Sequence, residues 1–202
     1  MDQISQISRQ LIEAGKYMHT RGWVPATSGN FSARQPDGKI AITVSGRHKG
    51  KLSPGDIMLV DADGNALTDQ KPSAETMLHI QIYNFFPEMQ CVLHPHSLYA
   101  TIISRQVKEQ VVVQDYELLK AFPGIDTHEC SVIVPVLQND QDIFRLAKKV
   151  EFLLTTRKPV FGYLIAGHGF YTWAKSVEGC IKQVEAFEFL FQCEVLSGIA
   201  NR

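Results

Sequence analysis

Residues 91–100 read CVLHPHSLYA, an apolar run that ends in two histidines and a possible helix cap. The segment MQCVLHPH has the character of a buried strand, and Ser97 is suited to cap a helix running through Ile103. His94 and His96 lie two residues apart, and in a strand such residues point to the same face. Two imidazoles on one face can converge on one metal ion. A lone histidine at a strand end is more often hydrogen-bonded or solvated, so the remaining ligands must come from elsewhere in the chain.

Upstream, Ile4, Ile7, Leu11, Ala14 and Met18 recur three and four apart and mark an amphipathic first helix. It ends near TRGWVPATSGN, where Gly22, Pro25 and Gly29 break the period. KIAITVSG alternates as a strand, and DIMLVDADGNALT reads as a strand, a turn at DADG and a second strand. QKPSAETMLHIQIYNFF predicts a helix capped by Ser73. Downstream, CSVIVPVL and PVFGYLIAGH predict strands, with a helix over NDQDIFRLAKKVEFLLTT between them. A last helix begins near Ser176 with Cys180, Val184, Phe187 and Phe191 as its apolar stripe. Helices and strands are interspersed, and several strand connections are too short for helical crossovers. The expectation is an α/β fold whose sheet is mixed or largely antiparallel.

The chain has 202 residues and shows no repeat, low-complexity tract or linker, which suits a single domain over 1–202. A net charge of −1 gives no reason to expect nucleic acid or a membrane surface as partner. Cys91, Cys130, Cys180 and Cys193 form no CxxC pair and read as reduced thiols. The N-terminus has no basic start or apolar signal core, and no apolar run approaches a membrane span, so a cytoplasmic location is expected.

A third imidazole is available in LIAGHGFYTW, where His168 follows an apolar strand and stands between two glycines. Three imidazoles that leave one position open are a common catalytic zinc pattern. His19, His48, His79 and His128 are read as non-ligands. Glu75 falls in the first turn of the KPSAE helix, where the dipole stabilises a carboxylate by about 0.3–1 kcal/mol. The alternative role is a carboxylate beside the metal. Glu117, in VVVQDYELLKAF, reads from sequence alone as a solvated charge. Three stretches rich in small polar residues, ATSGNFSAR, TVSGRHKGKL and KPSAE, sit at strand ends or helix starts. Their hydroxyls, amide and free N–H groups could bind an oxyanion, with Arg47, Lys49 and Lys71 adding charge. Each stretch alone reads as a turn sooner than as a site.

Taken together and in order, SGNFSAR, TVSGRHKGKL, KPSAE, HPHS and AGHG resemble the class II, zinc-dependent aldolase and adducin-like family over nearly the whole chain. SGRHKGKLSPGDIMLVD, KPSAET and YELLKAFPGI resemble its dehydratase branch acting on 5-methylthioribulose 1-phosphate in methionine salvage. The alternative is aldol cleavage of a small ketose phosphate such as fuculose 1-phosphate. The resemblance implies a three-layer α/β/α domain and one Zn2+ per subunit on His94, His96 and His168. It implies a phosphate site at or near Ser28, Gly29, Asn30, Ser45, Gly46 and Ser73. Glu75 matches the family's glutamate beside the metal. Glu117, 21 residues after His96, matches the acid/base of the dehydratases. Where the family often has a second serine at the phosphate, this chain has Ala74. A homotetramer with sites at subunit interfaces is also implied.

Overall fold

A computed structural model describes residues 3–157 and 160–198. The amphipathic helix α1 (Gln3–Thr20) leads into a meander of β1 (Asn30–Arg34), β2 (Ile40–Thr43) and β3 (Ile57–Val60). Helix α2 (Thr76–Phe85) returns the chain to β4 (Cys91–His94), which pairs antiparallel with β1. Then come α3 (Leu98–Gln106), β5 (Gln110–Gln114), β6 (Ser131–Leu137), α4 (Ile143–Thr156), β7 (Gly162–Ile165), β8 (Gly169–Ala174) and α5 (Val177–Ser197). The side chain of Ile4, and Pro159 of the expected PVFGYLIAGH strand, fall outside the described residues.

The strands form one eight-stranded sheet in the order β3-β2-β1-β4-β8-β7-β6-β5. The β6–β7 pair alone is parallel, and α4 connects those two strands. That is the one place where a helical crossover is required. Every other neighbouring pair is antiparallel. The expected mixed, largely antiparallel sheet is present.

Period-2 alternation assigns the two faces. Phe31 and Ala33 of β1, with Cys91 and Leu93 of β4, enter a core that includes Leu11 and Met18 of α1, Ile103 of α3 and Phe187 and Phe191 of α5. The intervening positions face a second core built with Leu78, Ile82 and Tyr83 of α2 and Leu146, Val150 and Leu154 of α4. The result is a helix–sheet–helix sandwich. Leu93 is fully buried, and truncating such a side chain to alanine costs about 2–5 kcal/mol.

Three local features depart from the sequence expectation. The second strand after DADG is reduced to a single bridge, Val60 with Ala66. The Asp61 carboxylate instead gathers the turn, accepting from Asp63 N, Asn65 N and Asn65 Nδ2 at 2.8–3.0 Å. Helix α2 starts at Thr76 rather than after a Ser73 cap, because Ser73 closes a turn with its carbonyl on Thr76 N and its hydroxyl on Glu75 N. Glu75 therefore stands at the N-cap position. Finally, β1, β5 and β8 are strands that the patterning did not single out. All four cysteines are free. No helix among the described residues is long and apolar enough to cross a membrane.

Candidate metal centre

The site lies where β4 ends and β1 begins. Asn30 and His94 are register partners on the α2 side of the sheet. Beyond His94 the chain passes through Pro95, and His96 N donates to Trp23 O at 2.9 Å. Strand β8 starts beneath this corner, with Phe170 N donating to Pro95 O. A Cβ at Gly169 would lie 2.2 Å from that same carbonyl, so only glycine admits the approach. The β7–β8 turn, with Gly167 at φ +66°, carries His168 to the same place.

His94, His96, His168 and Glu75 are thus brought together, each offering one ligand atom within 4.8 Å of the others. His94 Nε2 is 2.9 Å from His96 Nε2 and 3.4 Å from Glu75 Oε2, and His168 Nε2 is 3.6 Å from Glu75 Oε1. His94 Nδ1 lies 2.8 Å from the Phe170 carbonyl, which can only accept. Its proton therefore sits on Nδ1, and Nε2 presents a lone pair to the cluster. Burial, then the neighbouring His168, hold His94 well below the usual imidazole range. Burial, then His94 and His168, push His96 down to about 2. Neutral imidazoles around one carboxylate are a donor set that a divalent ion such as zinc accepts. The residues fit a metal centre.

A directed chain of hydrogen bonds supports Glu75. Asn30 Nδ2 donates to Glu75 Oε2 at 2.7 Å, which turns Asn30 Oδ1 toward His79 Nε2. That nitrogen must carry the proton. Burial lowers His79 to about 4, so its other nitrogen, Nδ1, is an acceptor for the Ser32 hydroxyl at 2.7 Å. Ser32 in turn accepts from Tyr83 OH at 2.9 Å. Every donor in the series points toward Glu75. Tyr171 stacks on His94 at 4.0 Å between ring centroids, and Tyr163 stacks on Tyr171 at 5.0 Å. Burial, and then the Glu75 charge, raise both phenols well above their ordinary range. His79 and the two tyrosines were not picked out from sequence. His79 follows Glu75 by four residues, a helical spacing that could have flagged it.

The three small-residue stretches converge next to this cluster. Ser45 N donates to Lys71 O, Val44 bridges Pro72, and Asn30 Nδ2 approaches Ser73 Oγ at 3.4 Å. Gly29 and Gly46 both adopt positive φ, 75° and 74°. A Cβ at Gly29 would lie 2.6 Å from the His94 carbonyl, so this turn packs directly against β4. Ser45, Gly46 and Ala74 are exposed, Ser28, Gly29 and Ser73 partly so, and Asn30 is buried. Ser28 turns its hydroxyl onto Pro25 O at 2.6 Å. Glu117 is not among these neighbours. It opens a 3-10 turn, with its side chain 73% exposed and paired with Lys120 at 2.6 Å and His128 at 3.6 Å.

Residues 9–195 match the family described as Class II Aldolase and Adducin N-terminal domain. The chain is 61% identical over 185 residues to a methylthioribulose-1-phosphate dehydratase from Methylococcus capsulatus, covering 92% of this chain and 91% of that one. It is 50% identical to the enzyme of the same name from Pseudomonas syringae pv. syringae, covering 98% of each. Among solved structures, L-fuculose-1-phosphate aldolase from Thermus thermophilus superposes with a TM-score of 0.78 at 22% identity, over 97% of both chains. YgbL from Escherichia coli does so with a TM-score of 0.82 at 22% identity, over 96% of this chain and 90% of that one. These two likenesses show a shared fold. With the family match spanning almost the whole sequence, the chain belongs to the class II aldolase and adducin family.

Proposed function

We propose that the chain is one catalytic domain, residues 1–202, that removes water from 5-methylthioribulose 1-phosphate to give 2,3-diketo-5-methylthiopentyl 1-phosphate in methionine salvage. The observation that carries this is the 61% identity to a methylthioribulose-1-phosphate dehydratase over 92% of the chain. The second reading, aldol cleavage of a ketose phosphate such as fuculose 1-phosphate, has only the 22% identity of a shared fold behind it.

The reaction takes a proton from C3, beside the C2 ketone, and releases hydroxide from C4 with a proton. The resulting enol at C3 tautomerises to the second ketone. His94, His96 and His168, with Glu75 alongside, would hold one Zn2+ per subunit. When bound, the ion supplies Lewis-acid stabilisation of the enolate charge. Glu75 is held in orientation by Asn30, and serves as a base or as occupant of the fourth position. Ser28, Gly29, Asn30, Ser45, Gly46 and Ser73 belong to the turns that grip the phosphate and so fix the carbon chain. Asn30 serves through Glu75 and Ser73, since its amide is committed to them.

Glu117 is the proton carrier of this proposal, matching the dehydratases' acid/base. Within one chain its partners are Lys120 and His128 at the surface. It therefore meets the cluster across a subunit contact in a homotetramer. The enzyme is cytoplasmic, with neither nucleic acid nor membrane as partner.

The test is turnover of 5-methylthioribulose 1-phosphate by zinc-replete protein, following diketone formation, beside Glu117→Gln. Diketone from the wild type, and none from a variant that keeps its zinc, is the expected result. Two carbonyl fragments instead of one diketone would replace dehydration by aldol cleavage.

A further inference from the structure

We propose that Lys49 is a positioning residue for the substrate phosphate: its buried ammonium ties the Thr27–Asn30 turn to the Ser45–Arg47 turn and supplies a fixed positive charge between them. The proposal rests on the sugar-phosphate substrate argued above.

Lys49 is only 2% exposed, rare for a lysine. Its Nζ donates to Thr27 O at 2.9 Å and Arg47 O at 2.7 Å. Those carbonyls directly precede Ser28 and follow Gly46, so one ammonium joins two of the three turns of the candidate phosphate site. The third turn is tied in by Ser45 N to Lys71 O. A lysine ammonium has three donors, and among the described residues two carbonyls take two of them. No carboxylate pairs with Lys49 among the described residues, whereas the Arg47 guanidinium is committed to Asp56 at 3.0 Å. Lys71 is exposed. Lys49 is thus a buried cation whose charge is left for an incoming anion.

The backbone around it is locked from the opposite side. A Cβ at Gly15 of α1 would lie 2.4 Å from Lys49 O, and one at Gly50 would lie 2.3 Å from the His19 ring. The α1 helix therefore clamps the turn while the side chain reaches forward. Its charge is felt at the metal cluster, where it lowers His94 and His96 further. Burial lowers the ammonium itself to about 8, so it remains mostly charged at neutral pH.

The experiment compares wild type and Lys49→Met on 5-methylthioribulose 1-phosphate and on its dephosphorylated form. Loss of one charge-assisted contact predicts a roughly 10–100-fold fall in kcat/KM for the phosphate ester, mostly in KM. The dephosphorylated form should change by less than about threefold on the same reasoning. Equal losses on both would overturn the proposal, because they would mean a general role in folding. Should Lys49→Met not fold, sulfate binding to the wild type, read by calorimetry between pH 7.5 and 9.5, replaces it. Sulfate does not titrate there. Around Lys49 stand Arg47 and His48 on its own turn, His19 on α1, His94 at the end of β4 and His96 just beyond it, with Glu75 on the far side of that cluster. The charge of the ammonium, at about 8, is lost across that window. Sulfate binding weakens roughly tenfold or more if Lys49 faces the anion, and a flat profile overturns the proposal. A wild type that dehydrates nothing yet shows the sulfate titration would remove the proposed substrate and leave Lys49's role in place.

Discussion

His94 donates its Nδ1 proton to the backbone carbonyl of Phe170 across 2.8 Å. The bond spans β4 and β8, and it sets which nitrogen of the most buried imidazole faces the cluster. Phe170 N returns a bond to Pro95 O at 3.2 Å. The HPH corner is therefore tied to β8 by backbone bonds, and a backbone carbonyl, with the stacked Tyr171 ring, orients this imidazole.

Gly169→Ala tests that arrangement. The added methyl would meet Pro95 O at 2.2 Å and His96 Cα at 3.1 Å, both backbone atoms that cannot step aside alone. Displacing β8 strains the core by about 1–3 kcal/mol and loosens the Phe170 carbonyl from His94. Metal affinity, measured by competition with a chromophoric chelator, should fall about 10–100-fold. Wild-type affinity in a folded Gly169→Ala protein would mean that the Phe170 carbonyl does not orient His94.

Asn30→Ala breaks the relay from Tyr83 to Glu75 at its last link. The Glu75 oxygen and the His79 Nε2 proton lose their shared partner in a buried setting. An unsatisfied buried polar group costs about 1–3 kcal/mol. Denaturant unfolding should show a loss of that size. Metal content should stay near wild type, because Asn30 is not one of the four converging residues, while kcat falls as Glu75 loses its orientation. Loss of the metal along with the activity would instead make Asn30 part of the cluster's own support.

The histidine cluster was legible in sequence because two of its members are neighbours in one strand and the third is flanked by glycines that a close approach demands. The strands on either side of β4 were not. β1 carries Asn30 and Ser32 inward, where they face His79 and Tyr83, so its apolar alternation is broken by the polar network it serves. β8 is buried at all six positions, which erases the alternation of a half-buried strand. Glu75 looked like a first-turn charge because the Ser73 turn, which delays α2 by two residues, depends on contacts among distant loops. Glu117 looked like a solvated charge, and in a single chain it is one.

Glu188 gives a pH prediction. It is 3% exposed on α5, and burial, partly offset by the Ser97 hydroxyl, pushes it from 4.5 up to about 8. Between those values the folded protein keeps a proton that the unfolded chain releases, so stability falls as pH rises from 4.5 toward 8. Glu188→Gln removes that loss. At pH 7 the gain is on the order of 3 kcal/mol, or about 5–10 °C in Tm for a chain of this size. At pH 4.5 the two proteins should melt together. A Tm difference independent of pH would show that Glu188 does not hold its proton in the folded state.

Glu117 supplies the sharpest test of the assembly. Its carboxylate is bound to Lys120, whose ammonium holds it below the usual range, so it is ionised at neutral pH and ready to accept a proton. Its exposure leaves it outside the cluster of its own chain, and a proton carrier must come within hydrogen-bond reach of its target. If that reach is across a subunit contact, two inactive variants should repair each other. Glu117→Gln keeps an intact metal cluster and lacks the carrier. His94→Ala lacks the cluster and keeps the carrier. Neither alone should turn over substrate. Unfolded together and refolded at equal amounts, they should form mixed oligomers in which some interfaces join a good cluster to a good Glu117. For a site built from two chains and random mixing, about one quarter of sites would be whole, so activity should recover to roughly that share of wild type. The recovered activity should also require contact, vanishing when the two variants are mixed without refolding. Recovery in neither case, with both variants folded, the Glu117→Gln protein fully metallated and mixed oligomers formed, would rule out action of Glu117 across a subunit contact.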